Sequence, residues 1–176
     1  MIRVRSATVV LGLLLLAACG EHGNSLVEPL APEAAQPLTT LGGAEPLACP
    51  SDLTVSASGT IGMLGGTIAA GDHRLTLPPG AVLLPTTFTV TAPASEHVEL
   101  QVHARGHDSF HFLLPARITI SYDRCGSRPV DTSSLAVWHY DEVTGLLLEL
   151  MDGTPDAGDR SISFPTSHLS GFIIVN

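Results

Sequence analysis

The chain has 176 residues, of which 44% are hydrophobic, and its formal net charge is -9. It contains no lysine, so arginine supplies every basic side chain other than histidine. An acidic surface repels phosphate backbones, and no cluster of basic residues offsets that repulsion, which excludes nucleic acid as a partner. The length suits one domain preceded by a leader and a linker.

The first 18 residues are typical of an export signal. A basic start at Arg3 and Arg5 precedes an almost wholly apolar run from Ala7 to Ala18. A helix needs about 20 apolar residues to cross the hydrocarbon core of a bilayer, and this run is too short. The sequence therefore predicts a signal peptide over residues 1–18 rather than a membrane span.

The end of that signal carries a second pattern. The stretch Leu16-Ala17-Ala18-Cys19 resembles the lipobox of bacterial lipoproteins. The resemblance implies that the Cys19 thiol takes up diacylglycerol and then becomes the new N-terminus, with palmitate-type acyl chains as the anchor. Each buried CH₂ contributes about 0.8 kcal/mol, so several chains hold a protein on the cell membrane or the outer membrane, exported and facing the periplasm or the surface. The alternative is an ordinary secretory signal followed by a chance cysteine.

Residues 19–46 are predicted to be the lipidated cysteine and a flexible tether. The stretch is rich in proline, glycine and glutamate and shows neither strand alternation nor helical periodicity. Proline interrupts helices and glycine adds backbone freedom, so a linker with an r.m.s. reach of about 30 Å is expected.

The pattern changes at about Leu47 to short alternating runs separated by turn residues. Phe88 and Val90 alternate with threonines, and the next run places Val98, Leu100 and Val102 on one face. Many short strands without a helical window predict an all-β fold, an antiparallel β-sandwich over residues 47–176. The predicted strands are 53–57, 67–69, 74–77, 86–92, 96–104, 117–122, 136–140, 146–150, 161–164 and 171–175, with a hairpin loop at 141–145.

Three pieces of this region carry a family resemblance. They are Gly65-Gly66-Thr67-Ile68, then Leu75-Thr76-Leu77-Pro78-Pro79-Gly80-Ala81, and later Phe112-Leu113-Leu114-Pro115-Ala116. Together they resemble the ZU-five domain of zonula occludens proteins, netrin receptors and ankyrins, over roughly residues 59–122. The resemblance implies a β-sandwich that acts as an interaction or structural module and not as a small-molecule enzyme. In physical terms, the two prolines end a strand by removing donors, and Gly80 permits the reversal.

A further resemblance lies near the end of the sequence. His168-Leu169-Ser170 is similar to the self-cleavage motif of UPA domains and of the GAIN domains of adhesion receptors. It implies that the Ser170 hydroxyl attacks the Leu169 carbonyl, that His168 acts as base, and that water hydrolyses the resulting ester. Only one final strand follows in this sequence, so cleavage would release little. A structural turn at the start of that strand is the favoured interpretation, and self-cleavage is the alternative.

Two cysteines remain once Cys19 is assigned to the lipid. An even pair in an exported protein is a disulfide candidate, so Cys49 and Cys125 are predicted either to form a bridge or to stay as free thiols. A bridge closing so long a loop would stabilise the fold by about 4 kcal/mol in the chain-entropy description.

Two patterns raise the question of metals. His103, His107 and His111 recur at every fourth residue, which would align them on a helix, but their flanks are typical of strands. Residues 152–159 look like a calcium loop yet lack the EF-hand spacing and its bidentate glutamate, so a polar hairpin turn is expected. No metal ligand set and no cofactor are predicted.

Three functions follow, in order of preference. The first is a membrane-anchored cell-envelope lipoprotein whose β-sandwich does non-enzymatic structural or protein-contact work with an envelope protein partner. The second is an autoproteolytic domain that cleaves between Leu169 and Ser170. The third is an envelope metal-binding protein. Trp138 and Tyr140 share one strand face, which favours a core position, whereas exposure would indicate a ligand platform.

Overall fold

The computed structural model describes residues 44–50 and 53–176. The predicted signal peptide, the predicted lipidation site Cys19 and nearly all of the predicted tether lie outside the described residues. Within the described part, no helix has the length and apolarity needed to cross a membrane.

The described residues form eleven β-strands and one short 3-10 turn, at Asp123–Cys125. The strands are β1 (Val55–Ile61), β2 (Gly66–Ala70), β3 (His73–Leu77), β4 (Thr86–Ala92), β5 (Glu99–Ala104), β6 (His111–Ser121), β7 (Ala136–Tyr140), β8 (Leu147–Met151), β9 (Thr154–Asp156), β10 (Ser161–His168) and β11 (Gly171–Val175).

The strands make two antiparallel sheets that pack face to face. One has six strands in the order β1-β4-β5-β11-β7-β8, and the other has five in the order β2-β3-β6-β10-β9. This confirms the predicted all-β antiparallel sandwich. Strand β11 pairs with β5 on one side and β7 on the other, which joins the two halves of the larger sheet.

Alternation along the strands builds the core between the sheets. Phe88 and Val90 on β4, and Leu100 and Val102 on β5, are fully buried, as the sequence pattern predicts. The opposite sheet contributes the equally buried Ile118, Ile120, Ile162 and Phe164, and the final strand contributes Phe172 and Ile174. On the outer face, paired hydroxyls join β1 to β4, for example Ser58 to Thr89 at 2.7 Å.

Two of the sequence pieces that carried the family resemblance, residues 65–68 and 75–81, lie against each other. Gly65 adopts a positive φ of 71°, and a Cβ at this position would collide with the Leu77 carbonyl oxygen and with the peptide bond between Pro78 and Pro79. Gly80, with φ of 84°, donates its N–H to the Met63 carbonyl at 2.8 Å. Glycine is needed at both places because of the left-handed backbone, and at Gly65 also because of the close approach.

Several strand boundaries differ from prediction: β1 and β10 each end four residues later, at Ile61 and His168, β5 begins three residues later, at Glu99, and the largest differences are at β6 and β9. Strand β6 begins at His111 rather than at residue 117, and residues 154–156, predicted as part of a polar turn, form the short edge strand β9. The turn follows β9, farther along the chain than predicted. There the Asp156 carboxylate accepts hydrogen bonds from the backbone N–H groups of Gly158 and Asp159. A side-chain-capped turn is compatible with strand pairing on either side of it.

The segment at residues 44–50 runs along the larger sheet. Glu45 and Asn176 exchange two backbone hydrogen bonds, of 3.3 and 2.9 Å, so the contacts begin slightly before the predicted boundary at Leu47. The sulfur atoms of Cys49 and Cys125 are bonded to each other, with their Cα atoms 4.9 Å apart. The bridge fastens this segment to the 3-10 turn.

A second apolar cluster covers part of the outer face of the larger sheet. Its buried members are Tyr140, Leu147, Ile173 and Val175, and the half-buried Trp138 packs against them. The strand face that Trp138 and Tyr140 share therefore packs in this smaller outer cluster and not in the core between the sheets.

Candidate functional site

Two imidazoles from different sheets meet at one edge of the sandwich. His139 lies on β7 with the same alternation as the buried Val137, so its ring points between the sheets and lies 6.0 Å from that of Phe172. His168 ends β10 in the opposite sheet, and its ring centroid is 4.7 Å from that of His139. Glu149 is the cross-strand partner of His139 on β8.

The polar atoms of this group lie close together. His139 Nδ1 is 3.4 Å from His168 Nε2, and His168 Nε2 is 3.9 Å from Glu149 Oε2. The other ring nitrogen of His139, Nε2, is 2.7 Å from the Ser170 hydroxyl. Ser170 Oγ also lies 3.3 Å from the Tyr140 carbonyl oxygen. We call His139, Glu149, His168 and Ser170 the edge cluster.

These contacts favour one order of hydrogen bonds. A carbonyl can only accept, so Ser170 uses its single proton to reach the Tyr140 oxygen. Ser170 then accepts from His139, whose proton sits on Nε2. If Ser170 instead donated its proton to His139, no proton would remain for the contact with the Tyr140 carbonyl oxygen. The favoured order leaves the Nδ1 lone pair of His139 directed at His168.

Burial and charge act together on His139. Burial lowers the pKa of its imidazole, and the neighbouring His168 lowers it further, whereas Glu149 and Asp141 act in the opposite direction. A lowered pKa keeps the ring neutral near pH 7 and its lone pair available to accept a proton or bind a metal ion.

Two β-bulges converge on this cluster. The register of β7 against β8 shifts between His139 and Tyr140, and that of β10 against β6 shifts between Thr166 and His168. Thr166 stabilises the second bulge, because its hydroxyl donates to the His168 carbonyl at 2.8 Å and accepts from the His168 N–H at 3.2 Å. Bulges re-aim side chains, and here they bring the His139 and His168 rings within contact distance.

The predicted self-cleavage residues are only partly together. The half-buried Leu169 donates its N–H to the Phe110 carbonyl, and Ser170 lies in the bend immediately before β11. The imidazole within hydrogen-bonding distance of Ser170 belongs to His139, not to His168. Sequence reasoning missed His139 because it is 31 residues from Ser170. The alternation with Val137 was the one available signal that it points inward.

The regularly spaced histidines do not share a site. His103 on β5 lies 3.2 Å from Glu142, His107 stands in the following turn against the Phe110 ring, and His111 begins β6. Only His111 approaches the edge cluster, with its ring centroid 6.4 Å from that of His168. Since residues 103 and 111 lie on different strands, the four-residue spacing does not align them.

No protein-family model matches the chain, and no curated protein matches it either.

Proposed function

We propose that the chain is a lipid-anchored protein of the bacterial cell envelope whose β-sandwich makes a non-enzymatic contact with another envelope protein. The lipobox resemblance at Cys19 supports the anchoring, and the ZU-five resemblance supports an interaction module. The sandwich fold is compatible with both but selects no partner.

The observation that carries the contact proposal is an apolar edge on the larger sheet. Leu146, Leu148 and Leu150 are exposed by 50%, 54% and 58% and follow one another along β8 and the loop before it. Strand β8 is the last strand of its sheet, so one side of its backbone has no strand neighbour among the described residues. We call these three residues the leucine edge. Exposed apolar side chains grouped on a sheet edge are typical of contact surfaces.

The charged residues in this part of the sequence indicate what kind of partner surface would bind the leucine edge. Residues 136–159 include six acidic side chains and no arginine or lysine. A partner surface with apolar residues at its centre and basic residues at its rim complements this arrangement. The same acidity opposes docking of the edge on anionic lipid. The bulge at the start of β8 disrupts regular pairing there, so the contact would involve leucine side chains more than an added strand.

Site-specific photocrosslinking in cells that express the full chain tests this proposal. A photoreactive residue at Leu150 should yield one protein adduct of defined mass. The same residue at Leu64, an exposed leucine in the turn after β1, is the matched control and should not yield it. Raised salt during crosslinking should weaken the adduct, because basic rim contacts are screened.

Several results would overturn the proposal. They are equal adducts from positions 150 and 64, a lipid adduct in place of a protein, an adduct only with a second copy of this chain, or no adduct at position 150. A Leu150→Glu variant that keeps the wild-type adduct when the probe is at Leu148 would also contradict it, because that charge should disrupt an apolar contact.

The 2.7 Å contact between Ser170 and His139 supports one rival, autoproteolysis between Leu169 and Ser170. In that reaction the His139 ring would adopt its other tautomer, with the proton on Nδ1. Its Nε2, rather than His168, would then take the Ser170 proton as the hydroxyl attacks the Leu169 carbonyl carbon, and would return it to the departing Ser170 nitrogen. The acyl group would move from nitrogen to oxygen, and water would then hydrolyse the ester. An intact-mass spectrum separates the two functions. Loss of residues 170–176 that is abolished by Ser170→Ala and by His139→Ala would establish the rival, whereas full mass supports the contact module.

A further inference from the structure

We propose that His139, His168 and Glu149 bind a zinc ion that clasps the two sheets together at the open edge of the sandwich. This inference does not depend on the proposed envelope contact. It rests on ligand geometry, on the hydrogen bond that orients His139, and on the two bulges that aim the ligands.

The distances fit a shared tetrahedral ion. With Zn–N bonds of about 2.0–2.1 Å, two ligand nitrogens of a tetrahedral site lie about 3.4 Å apart. His139 Nδ1 and His168 Nε2 are 3.4 Å apart. The Glu149 oxygen is 3.9 Å from His168 Nε2, and all three ligand atoms lie within 4.8 Å of one another. Because Glu149 is exposed, a small rotation of its side chain completes the third contact.

A direct hydrogen bond between the rings is the competing explanation, and it accounts for the geometry less well. N–H···O bonds usually span 2.7–3.2 Å, so a hydrogen bond between the rings at 3.4 Å would be a long one. A bound cation instead accepts both nitrogen lone pairs, and Glu149 offsets part of its charge. Two histidines and one glutamate form a known kind of zinc ligand set, with water as the fourth ligand.

The surroundings resemble the support that metal ligands receive in proteins. The Nε2–H of His139 donates to Ser170, which fixes the tautomer that leaves Nδ1 free to bind a metal. Thr166 holds the backbone of His168 from both sides. The two register shifts in the strand pairs of residues 53–176 fall at these two histidines. Glu149 lies at the surface, so an ion has a path from solvent.

The test uses the purified full chain without an affinity tag and Zn²⁺ alone, in a chelator-competition titration near pH 7.5. We expect one ion per chain, with a dissociation constant of about 1 μM or tighter. Glu149→Gln should weaken binding at least tenfold, and because the side chain is exposed this variant should fold normally. His168→Ala and His139→Ala should each lose most of the binding. Ser170→Ala should weaken it by about 10- to 100-fold, as expected for a residue that orients a ligand.

His107→Ala is the matched control. It removes an exposed imidazole from a turn outside the edge cluster. Zinc affinity should stay within a factor of about two, since a single surface imidazole with no other metal ligand beside it binds zinc weakly. At one fixed zinc concentration, zinc should also raise the melting temperature of the wild type and of His107→Ala equally, and that of Glu149→Gln by less.

Other outcomes overturn the site. No binding tighter than about 100 μM would exclude it as a specific zinc ligand set. Unchanged affinity in both Glu149→Gln and His168→Ala would show that zinc binds elsewhere. Loss of affinity in His107→Ala equal to that in His168→Ala would assign the ion to the loop histidines.

Discussion

The disulfide between Cys49 and Cys125 should contribute a large share of the stability of the domain. The two cysteines are 76 residues apart, so the bridge closes a long loop in the unfolded chain. In the chain-entropy description, a loop of this length corresponds to about 4 kcal/mol of stabilisation. Both side chains are buried, so replacing both with alanine avoids leaving an unpaired polar group in the core.

The double variant Cys49→Ala/Cys125→Ala should therefore have a free energy of unfolding about 4 kcal/mol below that of the wild type. Urea denaturation followed by the fluorescence of Trp138, the only tryptophan, measures it. With an m-value of about 1.5 kcal/mol/M, the midpoint should fall by roughly 2 to 3 M. The m-value itself should rise, because the unbridged unfolded chain exposes more surface.

Reduction of the wild-type protein supplies the control. A reductant should lower the midpoint of the wild type to that of the double variant and leave the variant unchanged. A loss below about 1 kcal/mol, or an equal response of both proteins to reductant, would refute the entropic reasoning. Such a result would mean that the backbone hydrogen bonds of residues 45–49 hold this segment without the bridge.

Three further predictions concern single positions. Burial and the Arg124 charge hold the pKa of His73 below its ordinary value of 6.5, with Asp72 acting the other way, so the unfolded chain binds the proton first and stability should fall as the pH drops below about 6.5. His73→Asn should flatten this part of the pH profile of the melting temperature, and an unchanged slope would contradict the assignment. Gly171→Ala would place a Cβ 2.6 Å from the Tyr140 ring and should cost about 1–3 kcal/mol in urea unfolding, whereas a neutral effect would show that the ring can move. Phe88→Ala removes a fully buried ring and should cost about 3–5 kcal/mol, and a loss below 1 kcal/mol would mean that it is not a core anchor.

Local patterns were sufficient to predict much of the fold. Alternation at Phe88 and Val90 identified β4 with its observed bounds, because one face of that strand is buried and the other carries threonines. The loop at 141–145 also lies where it was predicted, since the Asp141 carboxylate accepts bonds from the N–H groups of Val143 and Thr144. Signals of this kind depend only on near neighbours in sequence.

The edge cluster depends on information that local patterns lack. His139 on β7 and His168 on β10 belong to different sheets. They come together only when the two sheets pack, and that packing depends on the order of all the strands in both sheets. A bulge on each side then changes which way the side chains point, and a regular alternation cannot anticipate that change. For the same reason, the sequence assigned the imidazole beside Ser170 to the nearest histidine in the chain.

The mass and location of the protein in its cell test the central claim most directly. Cells that express the full chain should be separated into membrane and soluble fractions, and the protein in each measured by intact mass. Our account predicts a membrane-bound species that begins at a diacylglycerol-modified Cys19 and is lost in the Cys19→Ala variant. An unmodified species in the cytosol or the medium that retains residues 1–18 would contradict it.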